Sequence, residues 1–346
     1  MSGAVAQGNN TPLIGIIVGA GHFAEIQMEA WASVKGARIA AVVSLTVENA
    51  RQLADRYDIP GYGDWETALA EVRPDFIDVC TPPDSHFRYV KLAADAGLPV
   101  LCQKPLAPTE EEGAALVRYC ADRGVPLMIN ENWRWQAWYR EMKRMIEAGM
   151  LGTVYTAYFA MRPGDGWGAE PYPVQPYFRQ MRNFLLYETG VHWIDTFRFL
   201  FGEIESLYCR TRRVNPIIAG EDLAVVHFNF HSGVVAIYDA NRTTYMEQVR
   251  TPAYGIMTLE GTEGKLRLTD EGRIFYTPRE GTEQEHRYSI SSGWKGGSAI
   301  ATQQHFIDVL LGRTAAFESA GEAYLRTVRA VFACYESAER NQVVTL

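Results

Sequence analysis

Residues 12–24 read Pro-Leu-Ile-Gly-Ile-Ile-Val-Gly-Ala-Gly-His-Phe-Ala. The apolar first part, with β-branched residues through its middle, has the length of one strand buried on both faces. The second part follows the pattern G-x-G-x-x-A, in which Gly19 allows a tight turn, Gly21 lets the backbone approach a pyrophosphate, and Ala24 lets the next helix pack closely on the sheet. Two glycines also occur in ordinary strand-to-helix turns, so the motif predicts a dinucleotide site only if a parallel sheet follows.

Length and composition limit the class of protein. The chain has 346 residues, which indicates two domains at roughly 150 residues each. Hydrophobic residues make up 47% and charged residues 21%, the proportions of a globular protein. The formal net charge is −8 and no basic run is present, which argues against a nucleic-acid partner.

The sequence also bears on the compartment. Residues 1–10 are small and polar, with neither the basic start nor the apolar core of a signal peptide. No apolar run approaches the roughly 20 residues that cross a bilayer. The five cysteines are scattered and form no C-x-x-C pair, which is typical of reduced thiols. We therefore expect a cytoplasmic protein with no membrane partner.

Strands and helices alternate through the first 131 residues. The helical segments are amphipathic and the links between elements are short, which is typical of a doubly wound parallel sheet with helices on both faces. Residues 1–131 are therefore predicted to form a Rossmann dinucleotide-binding domain, with its ligand at the carboxyl ends of the strands. The strands predicted after the glycine turn include 37–44, 75–80, 99–102 and 126–129.

Ser44 ends the second predicted strand and bears on the choice of cofactor. An acidic residue at this place would bind both ribose hydroxyls of NAD, and a nearby arginine would accept the phosphate of NADP. The chain has Ser44-Leu45-Thr46, which supplies neither group. Because no cation is present to attract a phosphate, we expect NAD, with NADP still open.

The pattern of apolar and polar residues changes at residue 132. Strands that alternate apolar and polar residues dominate the second half, as in antiparallel sheets with one covered face. Residues 132–346 are therefore predicted to form an α/β substrate-binding domain with an open, mostly antiparallel sheet. One face of such a sheet often becomes a subunit interface, so we expect a homo-oligomer, either a dimer or a tetramer.

Residues 188–202 read Glu-Thr-Gly-Val-His-Trp-Ile-Asp-Thr-Phe-Arg-Phe-Leu-Phe-Gly. On a helix, Glu188, His192 and Asp195 would lie at i, i+4 and i+7, within about 60° at roughly 100° per residue. The rest of the circumference is largely apolar, which indicates a buried helix. Its ionisable stripe must then be paired or face a cavity. It is either a structural network, with His192 bonded between two carboxylates, or a catalytic site.

Nearly the whole chain resembles the Gfo/Idh/MocA oxidoreductases, which include glucose–fructose oxidoreductase and inositol dehydrogenases. The resemblance implies an N-terminal Rossmann domain and a C-terminal domain whose sheet covers the substrate site. The motifs that carry it are residues 19–24, Thr81-Pro82-Pro83 with His86, Gln103-Lys104-Pro105, Asn132-Trp-Arg-Trp135, Gly149-Met-Leu-Gly152 and Glu188-x-x-x-His192-x-x-Asp195.

The resemblance also implies roles for particular residues. Lys104 matches the catalytic lysine of the family's E-K-P motif, and His192 matches the histidine near the substrate. Gln103 replaces the family's Glu, and Glu188 replaces an acidic residue that is usually Asp; both departures put in doubt a substrate transferred from a relative. The implied cofactor-binding set is Gly19, Gly21, His22, Phe23, Ser44, Thr81, Pro82, His86, Gln103, Lys104, Asn132 and Gln175.

A further segment bears on the substrate. Residues 175–179 followed by 187–192 resemble the corresponding part of family members that oxidise aldoses, D-apiose among them. The resemblance implies an NAD(P)-dependent dehydrogenase that converts a small sugar to its lactone. The candidate contacts of the sugar are Glu188, Tyr177, Arg134 and Lys104, with Gln175 beside them.

The chemistry assigned to these residues leaves alternatives open. His192 would take the hydroxyl proton as general base, and Lys104 would stabilise the developing negative charge. Lys104 could instead be the base if burial lowers its pKa. Other open hypotheses are a polyol or inositol dehydrogenase, NAD-assisted glycoside cleavage, a non-catalytic regulator that binds NAD and sugar, and a metal site at Glu188, His192 and Asp195. No spacing typical of structural zinc is present, so we expect no metal.

Overall fold

The computed structural model describes residues 11–245 and 251–346. These residues form two compact units. The first joins the residues up to Asn130 with Ala299–Gly321, and the second joins Glu131–Ser298 with Glu322–Leu346. The expectation about a signal peptide falls on residues 1–10, which lie outside the described residues. A functional boundary between residues 131 and 132 stays a prediction.

The first unit contains a six-stranded sheet with the order β3-β2-β1-β4-β5-β6, and all of its strand pairs are parallel. The order reverses between β1 and β4, which is where doubly wound sheets bind their ligands. The predicted Rossmann sheet is therefore confirmed. The strands are β1 (Leu13–Val18), β2 (Ala37–Val43), β3 (Gly61–Tyr62), β4 (Phe76–Val79), β5 (Val100–Gln103) and β6 (Leu127–Asn130).

Helices connect these strands, and two of them begin at side-chain caps. Asp64 accepts a hydrogen bond from the backbone N–H of Thr67 at 2.8 Å, and Thr109 accepts one from Glu112 at 3.1 Å. Such caps satisfy backbone donors that the first helical turn leaves unpaired. The helices are α1 (His22–Trp31), α2 (Val47–Ala54), α3 (Trp65–Val72), α4 (Pro83–Asp95) and α5 (Glu110–Ala121).

The segment 299–321 returns to the first unit because its apolar side chains complete that unit's core. It carries most of α8 (Trp294–Leu310), in which Lys295–Gly297 have left-handed backbone angles. Phe306 is fully buried, and its ring lies 5.6 Å from that of Phe76. Burial of side chains of this size contributes roughly 1.5–3 kcal/mol each.

The second unit contains a nine-stranded sheet with the order β14-β13-β12-β11-β7-β10-β9-β8-β15. Its strand pairs are antiparallel except for β7 with β10, which confirms the mostly antiparallel sheet predicted from the sequence. The strands are β7 (Val154–Met161), β8 (Ile204–Arg212), β9 (Leu223–Phe230), β10 (Val235–Asn241), β11 (Gly255–Gly261), β12 (Gly264–Leu268), β13 (Ile274–Pro278), β14 (Gln284–His286) and β15 (Val344–Thr345).

Helix α7 covers the inner face of this sheet. The ring of Trp193 lies 4.9 Å from that of Phe159 on β7 and 5.6 Å from that of Tyr238 on β10, and all three side chains are fully buried. This packing anchors the helix that carries His192. The helices of the unit are α6 (Ala137–Glu147), α7 (Val191–Phe201) and α9 (Gly321–Arg340), with 3₁₀ turns at Trp133–Trp135 and Pro176–Gln180 and a π-helical turn at Leu185–Gly190.

None of the helices in the described part of the chain is long and apolar enough to cross a membrane.

Candidate active site

The glycine turn forms at the carboxyl end of β1. Gly19 has a φ of +117°, and a Cβ at this position would lie 2.2 Å from the carbonyl oxygen of Cys80. Both facts exclude a side chain, because L residues rarely adopt such an angle and the neighbouring atom is backbone. Gly19 therefore turns the chain from β1 into α1, as predicted.

Gly21 meets a different constraint. A Cβ at Gly21 would have no protein atom within 4 Å, so the glycine leaves open space in front of the turn. Helix α1 begins at His22, which is exposed, and Phe23 beside it is half-buried. Ala24 is fully buried, as close packing of the helix on the sheet requires. Open space at a helix N-terminus after a glycine turn fits a pyrophosphate.

The carboxyl ends of β5 and β6 carry buried amide side chains. Gln103 and Asn130 are neighbours in the sheet register, and both are buried. The Oε1 atom of Gln103 accepts a hydrogen bond from the backbone N–H of Lys104 at 2.9 Å. Its Nε2 atom and both amide atoms of Asn130 have no hydrogen-bond partner within the described residues. Buried polar atoms without partners fit a ligand that would satisfy them here.

His86 joins the loop that follows β4 to the loop that follows β5. Its Nε2 atom lies 2.7 Å from the carbonyl oxygen of Thr81, and its Nδ1 atom lies 3.0 Å from that of Leu106. The imidazole has no accessible surface, and burial lowers the pKa of His86. This side chain therefore holds the Thr81-Pro82 loop against the segment after the cis Lys104–Pro105 bond. The structure shows this positioning contact, and a role of His86 toward the cofactor stays a prediction.

The other predicted positions at the strand ends are accessible. Ser44 is half-buried, and its N–H donates to the carbonyl oxygen of Tyr62 at 3.1 Å. Leu45 beside it is 73% exposed. Lys104 is half-buried, immediately after β5. The first unit therefore gathers the predicted turn, Ser44 and Lys104 at the carboxyl edge of one parallel sheet.

His192 and Glu131 form the centre of the second unit's candidate site. The Nδ1 atom of His192 lies 2.5 Å from Oε1 of Glu131, which is fully buried. Glu131 Oε1 also accepts from the N–H of Trp133 at 3.1 Å, and Oε2 accepts from the hydroxyl of Tyr324 at 3.0 Å. Burial and the Glu131 charge raise the pKa of Tyr324, so its phenol stays protonated and donates.

This arrangement sets the tautomer of the histidine. Because an ionised carboxylate only accepts, His192 donates through Nδ1, and the lone pair of the neutral imidazole lies on Nε2. The indole of Trp133 stacks on the imidazole, with ring centroids 4.2 Å apart and planes inclined by 19°. The ring is thus fixed on one edge and one face, and its basic atom is Nε2.

Asp195 belongs to a separate pair. Its two oxygens accept from Nε and Nη2 of Arg134 at 2.7 and 2.6 Å, and Oδ1 also accepts from the hydroxyl of Thr327 at 3.1 Å. Asp195 is fully buried and the Arg134 side chain is 9% exposed. The pair is bidentate, the geometry that makes buried charges tolerable. The structural alternative predicted His192 between two carboxylates of its own helix; the observed partner is Glu131 instead.

Glu188 does not lie on α7, contrary to the expectation of one continuous helix. It belongs to the π-helical turn Leu185–Gly190, and α7 begins at Val191. A π turn uses more residues than an α turn, so the predicted i, i+4, i+7 stripe is wrong at its first member. Glu188 Oε2 accepts a hydrogen bond from the Thr189 hydroxyl at 2.5 Å and lies 4.0 Å from Nη1 of Arg242.

Family models match both halves of this chain. Residues 14–131 match the oxidoreductase family with an NAD-binding Rossmann fold, and residues 139–267 match the GFO/IDH/MocA C-terminal domain. The chain belongs to the Gfo/Idh/MocA oxidoreductase family. The predicted family, enzyme class and NAD-binding domain are therefore confirmed.

Individual relatives are similar to this chain over nearly its full length. The chain is 33% identical to a D-apiose dehydrogenase of Rhizobium rhizogenes, covering 98% of this chain and 99% of that protein. It is 31% identical to a D-apiose dehydrogenase of Paraburkholderia graminis, covering 96% and 89%. A crystal structure of an oxidoreductase from Agrobacterium radiobacter in complex with NAD+, L-tartaric acid and magnesium superposes with a TM-score of 0.89 at 32% identity, covering 97% and 98%.

The remaining predicted residues of this Gfo/Idh/MocA chain lie elsewhere in the second unit. Asn132 is buried directly after Glu131, and its Oδ1 atom has no hydrogen-bond partner within residues 11–245 and 251–346. Gln175 donates from Nε2 to the hydroxyl of Tyr177 at 3.1 Å. Tyr177 is 57% exposed on the 3₁₀ turn. Their roles toward cofactor and sugar stay predictions.

Sequence reasoning assigned no role to Glu131, Tyr324 or Arg242. Glu131 stands among the polar residues after β6, 61 positions before His192, so its place at a strand end was a usable signal. Tyr324 and Arg242 gave no local signal, because their partners are distant in the sequence. The residues described contain no group of three or more His, Cys, Asp or Glu side chains that could hold a metal ion.

Proposed function

We propose that this protein is an NAD-dependent dehydrogenase that oxidises a small sugar, converting an aldose to its lactone, with D-apiose as the first candidate. The observation that carries the proposal is the buried Glu131–His192 pair at 2.5 Å in a chain with an NAD-binding domain. The two D-apiose dehydrogenases, each similar to this chain over nearly its whole length, support the choice of sugar.

His192 serves as the general base. Its Nε2 atom accepts the proton of the sugar hydroxyl that is oxidised, while Nδ1 keeps its hydrogen bond to Glu131. Glu131 stabilises the imidazolium that forms and keeps the ring in one orientation, the role of the carboxylate in other acid–base triads. Proton transfer of this kind contributes typically about 10²-fold to 10⁴-fold in rate.

Lys104 stabilises the negative charge that develops on the substrate during the reaction, through its ammonium group. Glu188, Tyr177 and Arg134 bind neighbouring hydroxyls of the sugar, and Asp195 holds the Arg134 guanidinium in place. NAD, when bound, supplies the hydride acceptor. The open turn at Gly21 would hold its pyrophosphate, and Gln103 and Asn132 would offer amide atoms that have no hydrogen-bond partner within the described residues.

NAD is preferred over NADP at this site. The end of β2 has Ser44-Leu45-Thr46 and no arginine or lysine to attract a 2′-phosphate. Catalytic efficiency should therefore be higher with NAD. A large preference for NADP would contradict this part of the proposal.

The proposal also covers the oligomeric state and the cellular compartment of the protein. Tyr158 and Val225 are 37% and 40% exposed on the outer face of the nine-stranded sheet, and Ile237 pairs with Tyr158 across that face. We propose that this face joins copies of the chain into a homo-oligomer, which light scattering would detect. The five cysteines are free and buried, which supports a cytoplasmic location.

The test is absorbance at 340 nm with NAD and then NADP, against a panel of aldoses that includes D-apiose, polyols and inositols. Reduction of NAD with an aldose, and a lactone as product, is the expected result. Reduction only with polyols or inositols would favour a polyol or inositol dehydrogenase, which family membership also supports. Binding of NAD and sugar without any reduction would favour a non-catalytic regulator instead.

A further inference from the structure

A buried arginine lies behind Glu188. Arg242 directly follows β10 and is 4% exposed, and its guanidinium donates to both oxygens of Asp165, at 3.0 and 2.6 Å. Burial lowers the pKa of Arg242, but the charge and hydrogen bonds of Asp165 raise it overall, so the side chain stays charged. Aromatic rings lie 4.9 to 5.3 Å from the guanidinium carbon, those of Tyr172, Phe178 and Phe184.

Thr189 stands between this charge and Glu188. Nη1 of Arg242 donates to the Thr189 hydroxyl at 2.8 Å, and that hydroxyl donates to Oε2 of Glu188 at 2.5 Å. A hydroxyl has a single proton, so accepting from Arg242 directs that proton toward Glu188. Nη1 and Oε2 are 4.0 Å apart, beyond hydrogen-bond distance. The guanidinium therefore does not close on the carboxylate as a bidentate pair.

The backbone under Glu188 is held by other groups. The carboxylate of Glu221 accepts from the N–H groups of Phe184 and Leu186 at 3.2 and 3.0 Å. The hydroxyl of Tyr335 accepts from the N–H of Tyr187 at 3.1 Å and donates to Glu221 at 2.7 Å. These bonds fix the backbone of the π turn, and the Thr189 hydroxyl is a contact that orients the Glu188 carboxylate on this turn.

We propose that Thr189 and Arg242 are positioning residues that hold the Glu188 carboxylate as the acceptor for one hydroxyl of the sugar, and so decide which sugars the enzyme accepts. The inference rests on the proposed function, in which Glu188 binds a substrate hydroxyl. Arg242 supplies the charge that favours an anion, and Thr189 transmits it through a hydrogen bond. A site that pairs a substrate hydroxyl discriminates strongly against an analogue that lacks it.

The test compares Thr189→Val with Thr189→Ser in the full-length enzyme with NAD. Valine has the shape of threonine without the hydroxyl, whereas serine keeps the hydroxyl. KM and kcat are measured for the preferred sugar and for its deoxy analogues, each lacking one hydroxyl. For Thr189→Val we expect KM to rise about tenfold or more, kcat to change less, and the preference over one deoxy analogue to disappear. Thr189→Ser should retain the wild-type values.

A second pair of variants covers the case in which Thr189→Val does not fold. Arg242→Lys keeps the charge but loses the fork that reaches Asp165 and Thr189 together. Arg162→Lys is the matched control, because Arg162 directly follows β7, pairs with Asp239 of β10 at 2.6 Å and has no role in the proposed site. Arg242→Lys should raise KM and lose the deoxy preference, and Arg162→Lys should do neither.

The outcomes separate the two proposals. An active wild type whose Thr189→Val or Arg242→Lys variant folds and keeps the KM and deoxy preference of the wild type overturns this inference alone. Equal losses in Thr189→Val and Thr189→Ser also overturn it, because the hydroxyl would not be the determinant. A wild type that reduces neither cofactor with any sugar overturns the proposed function and this inference with it.

Discussion

The glycine turn of the first unit and the histidine site of the second unit are built in opposite ways. Gly19, Gly21 and Ala24 perform their roles within six consecutive positions, so their spacing alone predicts the turn. His192 depends on Glu131, 61 positions earlier, and Glu131 depends on Tyr324, 193 positions later. A site whose parts are adjacent in the sequence can be predicted from a motif, whereas one assembled from distant residues needs the fold.

The largest effect is expected from removing the groups proposed to act in catalysis. His192→Ala and Lys104→Ala should each lower kcat by at least about 10²-fold, because each removes proton transfer or charge stabilisation from the transition state. Steady-state kinetics with NAD and the active sugar would measure both. Near-wild-type turnover in either variant would remove that residue from the mechanism.

The next prediction asks whether Glu131, which no motif predicts, contributes to turnover as His192 does, which a motif predicts. Glu131→Gln keeps the size of the side chain but removes the charge that faces Nδ1 of His192, so kcat should fall by about 10-fold to 10²-fold. The acid limb of the kcat/KM profile should move to lower pH, because a neutral amide stabilises the imidazolium less than a carboxylate does.

Tyr324→Phe is the matched control for Glu131→Gln. It removes one donor to the carboxylate and leaves the charge in place, so we expect a smaller loss and an acid limb close to that of the wild type. An identical pH profile in Glu131→Gln and the wild type would contradict the proposed role of the buried carboxylate.

The glycine turn offers a contrast within three positions. In Gly21→Val the new side chain enters open space, so the fold and melting temperature should hold while the Kd for NAD rises about tenfold or more. In Gly19→Ala the Cβ would lie 2.2 Å from the Cys80 carbonyl oxygen at a φ of +117°, so stability itself should fall. Calorimetric titration with NAD and thermal unfolding would separate them. Loss of folding in Gly21→Val would show that this glycine is structural.

The same contrast explains which predictions from the sequence succeeded. The alternation of strands and helices predicted the parallel sheet, because short links between neighbouring elements are visible in the local sequence pattern. Glu188 was misplaced because a regular helical period was assumed through a π turn. The return of 299–321 to the first unit could not be predicted, since it depends on side-chain contacts such as Phe306 with Phe76.

Asp78 makes a contact with a residue that is distant in the sequence. It does so within the first unit, whose fold the sequence predicts best. It is fully buried in β4, accepts a hydrogen bond from the indole N–H of Trp31 at 2.7 Å, and has an Oδ1 atom with no hydrogen-bond partner in the described part of the chain. Burial raises the pKa of Asp78 to about 7, although the Trp31 hydrogen bond opposes this.

The smallest effect on turnover, and a measurable one on stability, is expected from Asp78→Asn. A folded-state pKa above the unfolded value means that the folded protein holds the proton more tightly, so this stability is present at low pH and is lost as pH rises from about 4 to about 7. The variant does not titrate. The free energy of unfolding of the wild type should therefore fall relative to Asp78→Asn by up to about 1.4 kcal/mol per pH unit in this window and level off above it. Parallel denaturant titrations of the two proteins from pH 4.5 to pH 8 would measure the difference, and a difference that does not vary with pH would show that Asp78 is ionised throughout.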